Sequence, residues 1–268
     1  MRSVPPIVLG LAILGLLFAP SFLDTMPGSN LSDPPSLTHP LGTTPSGEDV
    51  LAVISAGARR LFLDGLCCAL FATLFGGLWA GAEAALRGTM LFYLVARFRA
   101  VADSIGPALP VAAFAAVFPR APTPVLVIIL GLLASPSIAG PIYTSSQYVY
   151  RLPYVEASRC LGVKPLRLFL KNVLPEISLV VVPWIGAFAA QAAAFLSGLG
   201  FLGIGLGSQT SLGMRLFDAS GSIRVAPWFF ASASVMTLIV LGLSIALGRI
   251  TARHKLYGSL LTKPRLPT

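Results

Sequence analysis

The sequence predicts an all-α protein that crosses a membrane about six times. Of its 268 residues, 55% are hydrophobic and only 11% are charged, whereas a soluble domain carries about a quarter charged residues. The mean hydropathy is +0.83. Apolar runs long enough to span a bilayer also recur along the chain. Because so few charges cannot cover a water-facing surface, lipid is the predicted solvent for most of the chain.

Candidate transmembrane helices are the apolar runs of roughly 20 residues. They cover residues 4–23, 65–82, 101–118, 123–143, 177–196 and 226–247. The third run is the least regular, because Asp103, Pro107 and Pro110 interrupt it. The first run could instead be a cleaved signal peptide, but no convincing small-residue cleavage site follows it. We therefore expect a retained first span.

The distribution of lysine and arginine predicts the orientation of these spans. With the N-terminus in the cytoplasm, 14 of the 19 basic residues lie in cytoplasmic segments and five lie outside. Both termini are therefore predicted to be cytoplasmic. The same bias explains the net charge of +9. Nucleic-acid binding is not predicted, since no basic stretch is interleaved with aromatic residues that stack on bases.

The segment 1–62 combines the first span, an extended outer loop rich in Pro, Gly, Ser and Thr, and a short amphipathic stretch. In that stretch Val50, Ile54 and Ala58 repeat at helical spacing, and Ser46 is a candidate N-cap. This pattern predicts a short helix that lies on the outer membrane face and runs into the second span. The alternative is that the second span simply starts early.

No catalytic constellation is visible in the sequence. There is no HExxH, GxSxG or Walker motif, and only two histidines, His39 and His254, are present. The three cysteines lack metal-binding spacing. "GLGFLG", residues 198–203, matches G-x-G-x-x-G but follows a membrane span instead of a strand, which favours a closely packed helix end. The chain is therefore predicted to be neither an enzyme nor a cofactor-binding protein.

A few polar residues lie in or near the predicted spans. Asp64, Glu83 and Asp103 fall near span ends, so we expect solvated positions at the membrane interface. Arg99 is expected to pair with Asp103, four positions further on. Gln191 is the strongly polar side chain in the middle of the fifth span. It is predicted either to face a translocation path or to hydrogen-bond to a neighbouring helix.

Residues 154–175 form a polar island between apolar runs. The basic residues in and just before it are Arg151, Arg159, Lys164, Arg167 and Lys171. Pro153 is suited to start a helix, and Gly162 is suited to end it. Pro165 then restarts a helix that is predicted to continue until Pro175. Each helix is too short and too charged to cross a membrane, so a helix–turn–helix on the cytoplasmic face is predicted.

This island resembles the EAA loop of the inner-membrane subunits of binding-protein-dependent ABC importers. The family pattern is E-A-A, three residues, Gly, nine residues, an aliphatic residue, one residue and Leu-Pro. The matching residues at the same spacing are Glu156, Ala157, Ser158, Gly162, Leu174 and Pro175. Ser158 replaces the second alanine, and Asn172 replaces the aliphatic residue.

Two further stretches, residues 39–66 and 195–219, resemble the C-type subunit of the dipeptide, oligopeptide and nickel permeases. That subfamily usually reads LGTD-x-x-GRD where this chain has Thr44 for the acid and Glu48 for the arginine. The resemblance implies a type I ABC importer permease in the bacterial inner membrane. It also implies a permease core at 63–250 with the EAA loop at 150–176, followed by a cytoplasmic tail at 251–268.

The resemblance implies several partners: a second permease subunit, two ABC ATPases that bind ATP and Mg, an extracytoplasmic solute-binding protein, and lipid. No cofactor would be bound by this chain. The residues expected to couple to an ATPase are Glu156, Ala157, Ser158, Arg159, Leu161, Gly162, Leu174 and Pro175. Small peptides are the expected cargo, with nickel or a metal–chelator complex as the alternative. A secondary transporter or channel is the alternative from another class.

Overall fold

The computed structural model describes residues 32–36, 39–86, 88–118, 122–161, 174–203 and 211–262. The helices of this part are α1 (Val50–Ala85), α2 (Met90–Ile105), α3 (Ala108–Val117), α4 (Thr123–Tyr150), α5 (Pro153–Cys160), α6 (Leu174–Phe201), α7 (Leu212–Gly221) and α8 (Pro227–Thr262). A single antiparallel bridge joins Thr43 to Asp49 in the same described part. The predicted all-α fold is confirmed. The first predicted span, residues 4–23, lies outside the described residues.

Helices α1, α4, α6 and α8 are each long and apolar enough to cross a membrane, and α2 and α3 pass the same test as a pair. α1 and α4 run parallel. The starts of the two helices lie together, since one small cavity is lined by both Arg60 of α1 and Thr123 of α4. Their later parts also lie together: Arg99 is bonded to Glu83, near the end of α1, and lies against Gly140 of α4. Because α2 and α3 connect the end of α1 to the start of α4, this pair traverses the bundle.

The third span differs from its prediction. Instead of one helix over 101–118, α2 begins at Met90 and α3 ends at Val117, with a bend of 68° between them. The break falls at Gly106, whose φ of 68° lies in the left-handed region, and at Pro107, which has no N–H to continue the helix. The predicted interruption was therefore right, but the predicted bounds were wrong.

The start of the second span also differs from its prediction. α1 is one continuous helix, and its N-cap is Asp49, whose carboxylate accepts a hydrogen bond from the backbone N–H of Leu51 at 2.8 Å. Ser46 is not the cap; its hydroxyl lies 3.0 Å from that of Thr44. The first apolar residues of α1 do not lie on a membrane face but are buried in the bundle core: Val50, Ile54 and Ala58. The alternative, an early start of the second span, is therefore correct.

The last two long helices extend beyond the predicted spans. α6 begins at Leu174, so Pro175 lies in its first turn, and residues 162–173, including the predicted second short helix from Pro165, lie outside the described residues. α8 continues to Thr262, so most of the predicted tail at 251–268 is helical. α6 and α8 approach closely at Gly186, where an added Cβ would lie 2.6 Å from the carbonyl oxygen of Ser244. Such small residues allow membrane helices to pack backbone against backbone.

Candidate functional site

The short helix α5 begins where α4 ends. α4 stops at Tyr150, and Pro153 starts α5 after a two-residue turn. The backbone N–H groups of Val155 and Glu156 donate to the carbonyl oxygen of Leu152 at 3.0 and 3.2 Å. The missing N–H of Pro153 costs nothing at the first position of a helix. The predicted first helix of the polar island is therefore confirmed.

α5 is fixed to the bundle by one fully buried side chain, Val155. Val155 packs with Val149 of α4 and Ile177 of α6, and these three residues form a cluster separate from the main core. Burial of one valine contributes about 1.5 to 3 kcal/mol. The cluster therefore joins α5 to both α4 and α6.

A second contact joins α5 to α6. The side chain of Tyr154 lies beside the carboxylate of Glu176, in the first turn of α6. The pKa of Tyr154 is raised above its ordinary value, first by burial and then by the charge and the hydrogen bond of Glu176. The protonated tyrosine therefore remains available as the hydrogen-bond donor across the neutral range.

The opposite face of α5 is open among the described residues. Glu156, Ala157 and Cys160 are exposed, and the Leu161 side chain that follows is 83% exposed. The hydroxyl of Ser158 donates to the carbonyl oxygen of Tyr154 at 2.8 Å, so the replacement of the family alanine leaves the helix intact. The remaining predicted coupling residues have no described side chain: Arg159, Gly162, Leu174 and Pro175.

The acidic residues of the spans are not arranged as predicted. Arg99 does not pair with Asp103; its Nε donates to Oε1 of Glu83 at 2.7 Å. Glu83 is only 1% exposed, so the expected solvated position is wrong for this residue. Asp103 instead accepts a hydrogen bond from the hydroxyl of Ser137 in α4. None of the described residues of α2 is buried, so the helix has no apolar core contact of its own. These polar contacts help to hold α2 against α1 and α4.

Gln191 borders a cavity of about 80 Å³ at mid-length of the bundle. Cys68, half-way along α1, and Leu130 of α4 lie in its wall, and Pro107 and Ala108 close it at the break between α2 and α3. No charged side chain is among the described residues that line it. The cavity therefore offers one primary amide in otherwise apolar surroundings.

Gln191 also lies on an exposed stripe along α6. The members of this stripe recur at alternating steps of three and four residues: Trp184, Ala187, Gln191, Ala194, Gly198 and Phe201. This is the 3.5-residue repeat with which one helix packs along another. The small residues on either side of Gln191 allow close approach. Phe201, at the end of the stripe, contacts the ring of Phe217 in α7, with the ring centroids 6.4 Å apart.

The loop before α1 is folded onto the opposite end of the bundle from α5. The hydroxyl of Thr44 accepts a hydrogen bond from the N–H of Glu48 at 3.0 Å, so it closes the turn in place of the family acid. Glu48 in turn lies 3.4 Å from Arg215 of α7. The indole of Trp228 donates to the carbonyl oxygen of Thr43 at 3.4 Å. Thr44 and Glu48, which depart from the family sequence, therefore both have hydrogen-bond or ion-pair partners at this end of the bundle. The sequence alone did not reveal these contacts.

Together, the broken and continuous spans and the short external helix define a polytopic membrane transport protein. No family model matches the chain. The peptide transport system permease protein SapC of Escherichia coli O6:H1 is 30% identical over 243 residues, which cover 86% of this chain and 80% of SapC. The oligopeptide transport system permease protein OppC of Mycobacterium tuberculosis H37Rv is 29% identical over 257 residues, which cover 87% of this chain and 84% of OppC. The chain belongs to this family of ABC-importer permease subunits, which are transport components and not enzymes.

Solved structures agree with the fold. An inward-facing structure of the MetNI methionine ABC transporter aligns with a TM-score of 0.57 and 19% sequence identity. The alignment covers 74% of this chain and 96% of the matched chain. At this identity the likeness shows the fold alone, which is that of an ABC importer permease.

Proposed function

We propose that the chain is one of two permease subunits of a peptide importer in the bacterial inner membrane, and that α5 receives the motion of a cytoplasmic ATPase. One observation carries this proposal: α5 lies outside the bundle, fixed on one side by Val155 and open on the other. The exposed side chain of Leu161 adds an apolar contact at the end of this open face. Both termini are then cytoplasmic, as the basic residues predict.

The open face of α5 suits a groove on an ATPase. Ala157 permits close backbone approach, Leu161 supplies an apolar contact, and Glu156 supplies a charged contact at the rim. In this proposal Arg159, together with the segment from Gly162 to Leu174 and Pro175, completes the coupling loop. ATP and Mg are bound by the partner ATPases, and this chain binds neither.

Coupling then follows from the contacts behind α5. Closure of the ATPase dimer on ATP displaces α5, and the buried Val155 cluster passes the displacement to α4 and α6. Such a switch has two states that differ in affinity for ATP, and the rigid elements move between them as bodies. The small cluster is suited to this role because close-packed side chains transmit strain.

The translocation path is proposed to pass Gln191. Transporter sites typically lie near the middle of the bilayer, which is where the Gln191 cavity lies along the bundle. The second permease is proposed to pack along the exposed stripe of α6, and the solute-binding protein to dock at the opposite end from α5. The path then runs between the two permeases.

Small peptides are the proposed cargo. The named relatives are oligopeptide and peptide permeases. An amide side chain both donates and accepts hydrogen bonds, as a peptide backbone does, whereas nickel favours imidazole ligands. The described lining of the Gln191 cavity holds no histidine or carboxylate. Nickel or a metal–chelator complex remains the second candidate.

Reversal of one charge on α5 tests the coupling role. Glu156→Arg should abolish import driven by ATP and reduce co-purification of the ATPase, because the rim contact becomes repulsive. Asp218→Arg changes an exposed acid of α7 by the same charge at the opposite end of the molecule and is the matched control for co-purification of the ATPase. Gly162→Pro should uncouple import without loss of the protein from the membrane. Normal import by Glu156→Arg would show that α5 is not the coupling helix.

A further inference from the structure

Two arginines of α2, only two positions apart, have different surroundings. Arg99 is paired with Glu83. Arg97 is exposed, and it has no ion-pair partner among the described residues. The acids on the neighbouring elements are already engaged, since Glu83 binds Arg99 and Asp103 binds Ser137. Arg97 is therefore an exposed cation without an ion-pair partner in the described part of the chain.

Arg97 borders an apolar groove of about 680 Å³ between α1 and α2. Trp79 on α1 and Leu94 and Phe98 on α2 form its walls, and Arg97 is the charged residue among those described along it. The rings of Trp79 and Phe98 stack with their centroids 5.9 Å apart, which joins the two walls. Leu94 is 68% exposed, so the groove is open to its surroundings.

Apolar walls and a single cation define the ligand that fits. The walls suit an acyl chain, and tryptophan beside arginine is typical of the headgroup level of a bilayer. A basic residue at the membrane surface attracts an anionic headgroup by about 1 kcal/mol. We propose that this groove binds an anionic phospholipid, with an acyl chain along Trp79 and Phe98 and the phosphate on Arg97.

Native mass spectrometry of the purified importer complex tests this site. The complex is titrated with phosphatidylglycerol or with phosphatidylcholine that carries the same acyl chains. Arg97→Gln should lower the affinity for phosphatidylglycerol about fivefold and leave that for phosphatidylcholine unchanged. Arg59→Gln removes the same charge from an exposed position near the start of α1 and should not change the affinity for either lipid.

A second variant tests the groove itself. Leu94→Trp fills the space between the walls while Arg97 stays in place, so it should lower the retention of both lipids. Unchanged phosphatidylglycerol binding by Arg97→Gln would overturn the proposal, as would an equal loss in Arg59→Gln, which would indicate a general effect of net charge. If Leu94→Trp prevented assembly of the complex while Arg97→Gln left lipid binding unaltered, the groove would instead be a contact site for a partner subunit.

Discussion

The Nε of Arg99 in α2 donates to Oε1 of Glu83 in α1 at 2.7 Å, and the guanidinium lies against Gly140 of α4. One ion pair thus joins three helices. Glu83 is almost fully buried and Arg99 is 21% exposed, so neither charge is well solvated by water. Because α2 contributes no buried residue of its own, this pair is one of the few described polar contacts that hold it against the bundle.

Removal of one partner of this pair should be costly. Glu83→Gln or Arg99→Gln leaves an uncompensated buried charge, which costs about 3 to 5 kcal/mol. The double variant leaves no charge and should recover most of that loss. Thermal unfolding of the detergent-purified protein measures the effect, with the exposed Arg59→Gln as the matched control. Equal stability of the two single variants and the wild type would show that the pair is not stabilising.

The contact between α6 and α8 should not accept a methyl group at Gly186. Its Cβ would meet the backbone of Ser244 and Gly248 at 2.6 to 2.7 Å, and backbone cannot move aside as a flexible side chain can. Gly186→Ala should therefore destabilise the protein by about 1 to 3 kcal/mol. Gly77→Ala is the matched control, since no atom lies within 4 Å, and it should be neutral or stabilising. Unfolding in denaturant compares the two variants.

The contacts behind α5 should carry nucleotide-driven motion into α6. Tyr154→Phe removes the hydroxyl that interacts with Glu176, and Val155→Ala loosens the cluster. Hydrogen exchange of the assembled complex, with and without trapped nucleotide, follows both helices. We expect the response of α5 to persist in each variant and that of the start of α6 to fall about fivefold.

Tyr148→Phe is the control for this experiment, because it removes the same hydroxyl from an exposed position on α4. Glu176→Gln retains an acceptor oxygen and should preserve the response, whereas Glu176→Leu should not. An unchanged response at the start of α6 in Tyr154→Phe and Val155→Ala would show that the motion takes another route. Failure of any ATPase to co-purify would instead contradict the importer proposal itself.

Gln191 should influence the rate of import, because it borders the proposed path. Gln191→Leu keeps the approximate size of the side chain but removes its hydrogen-bonding groups, so the import rate of a radiolabelled tripeptide should fall about two- to tenfold. Gln147→Leu is the matched control, because it makes the same change at a position outside the cavity. Proteoliposomes that contain the complete importer provide the measurement. Equal rates for the two variants would place the path elsewhere.

The long spans could be predicted because each carries enough uncharged apolar sequence to leave no alternative to a membrane helix. The start of α2 could not, because Arg97 and Arg99 interrupt its apolar sequence. Arg99 is neutralised by Glu83, 16 positions away, and no local pattern reveals that contact. The N-cap of α1 was missed for a related reason: Ser46 and Asp49 are both good caps, and only the folded loop selects between them.

The candidate site was predictable to a similar extent. Pro153 and the spacing from Glu156 onward located α5 and its open face. The contacts that fix α5 from behind were not predictable, because Val155 and Tyr154 reach Ile177 and Glu176 across a segment of about twenty residues. The sequence therefore identifies what α5 presents to a partner, whereas the structure identifies what α5 moves.

The break at Gly106 and Pro107 has a consequence for insulation. Carbonyl oxygens in the last turn of α2 lose the donors that a continuing helix would supply, and within a bilayer such groups are satisfied only by protein or by water. Pro107 opens onto the same cavity as Gln191, half-way through the bundle. These carbonyl oxygens therefore need donors from protein or water at the level of the cavity, and we expect the seal that prevents protons from leaking through a resting importer to lie on one side of that level.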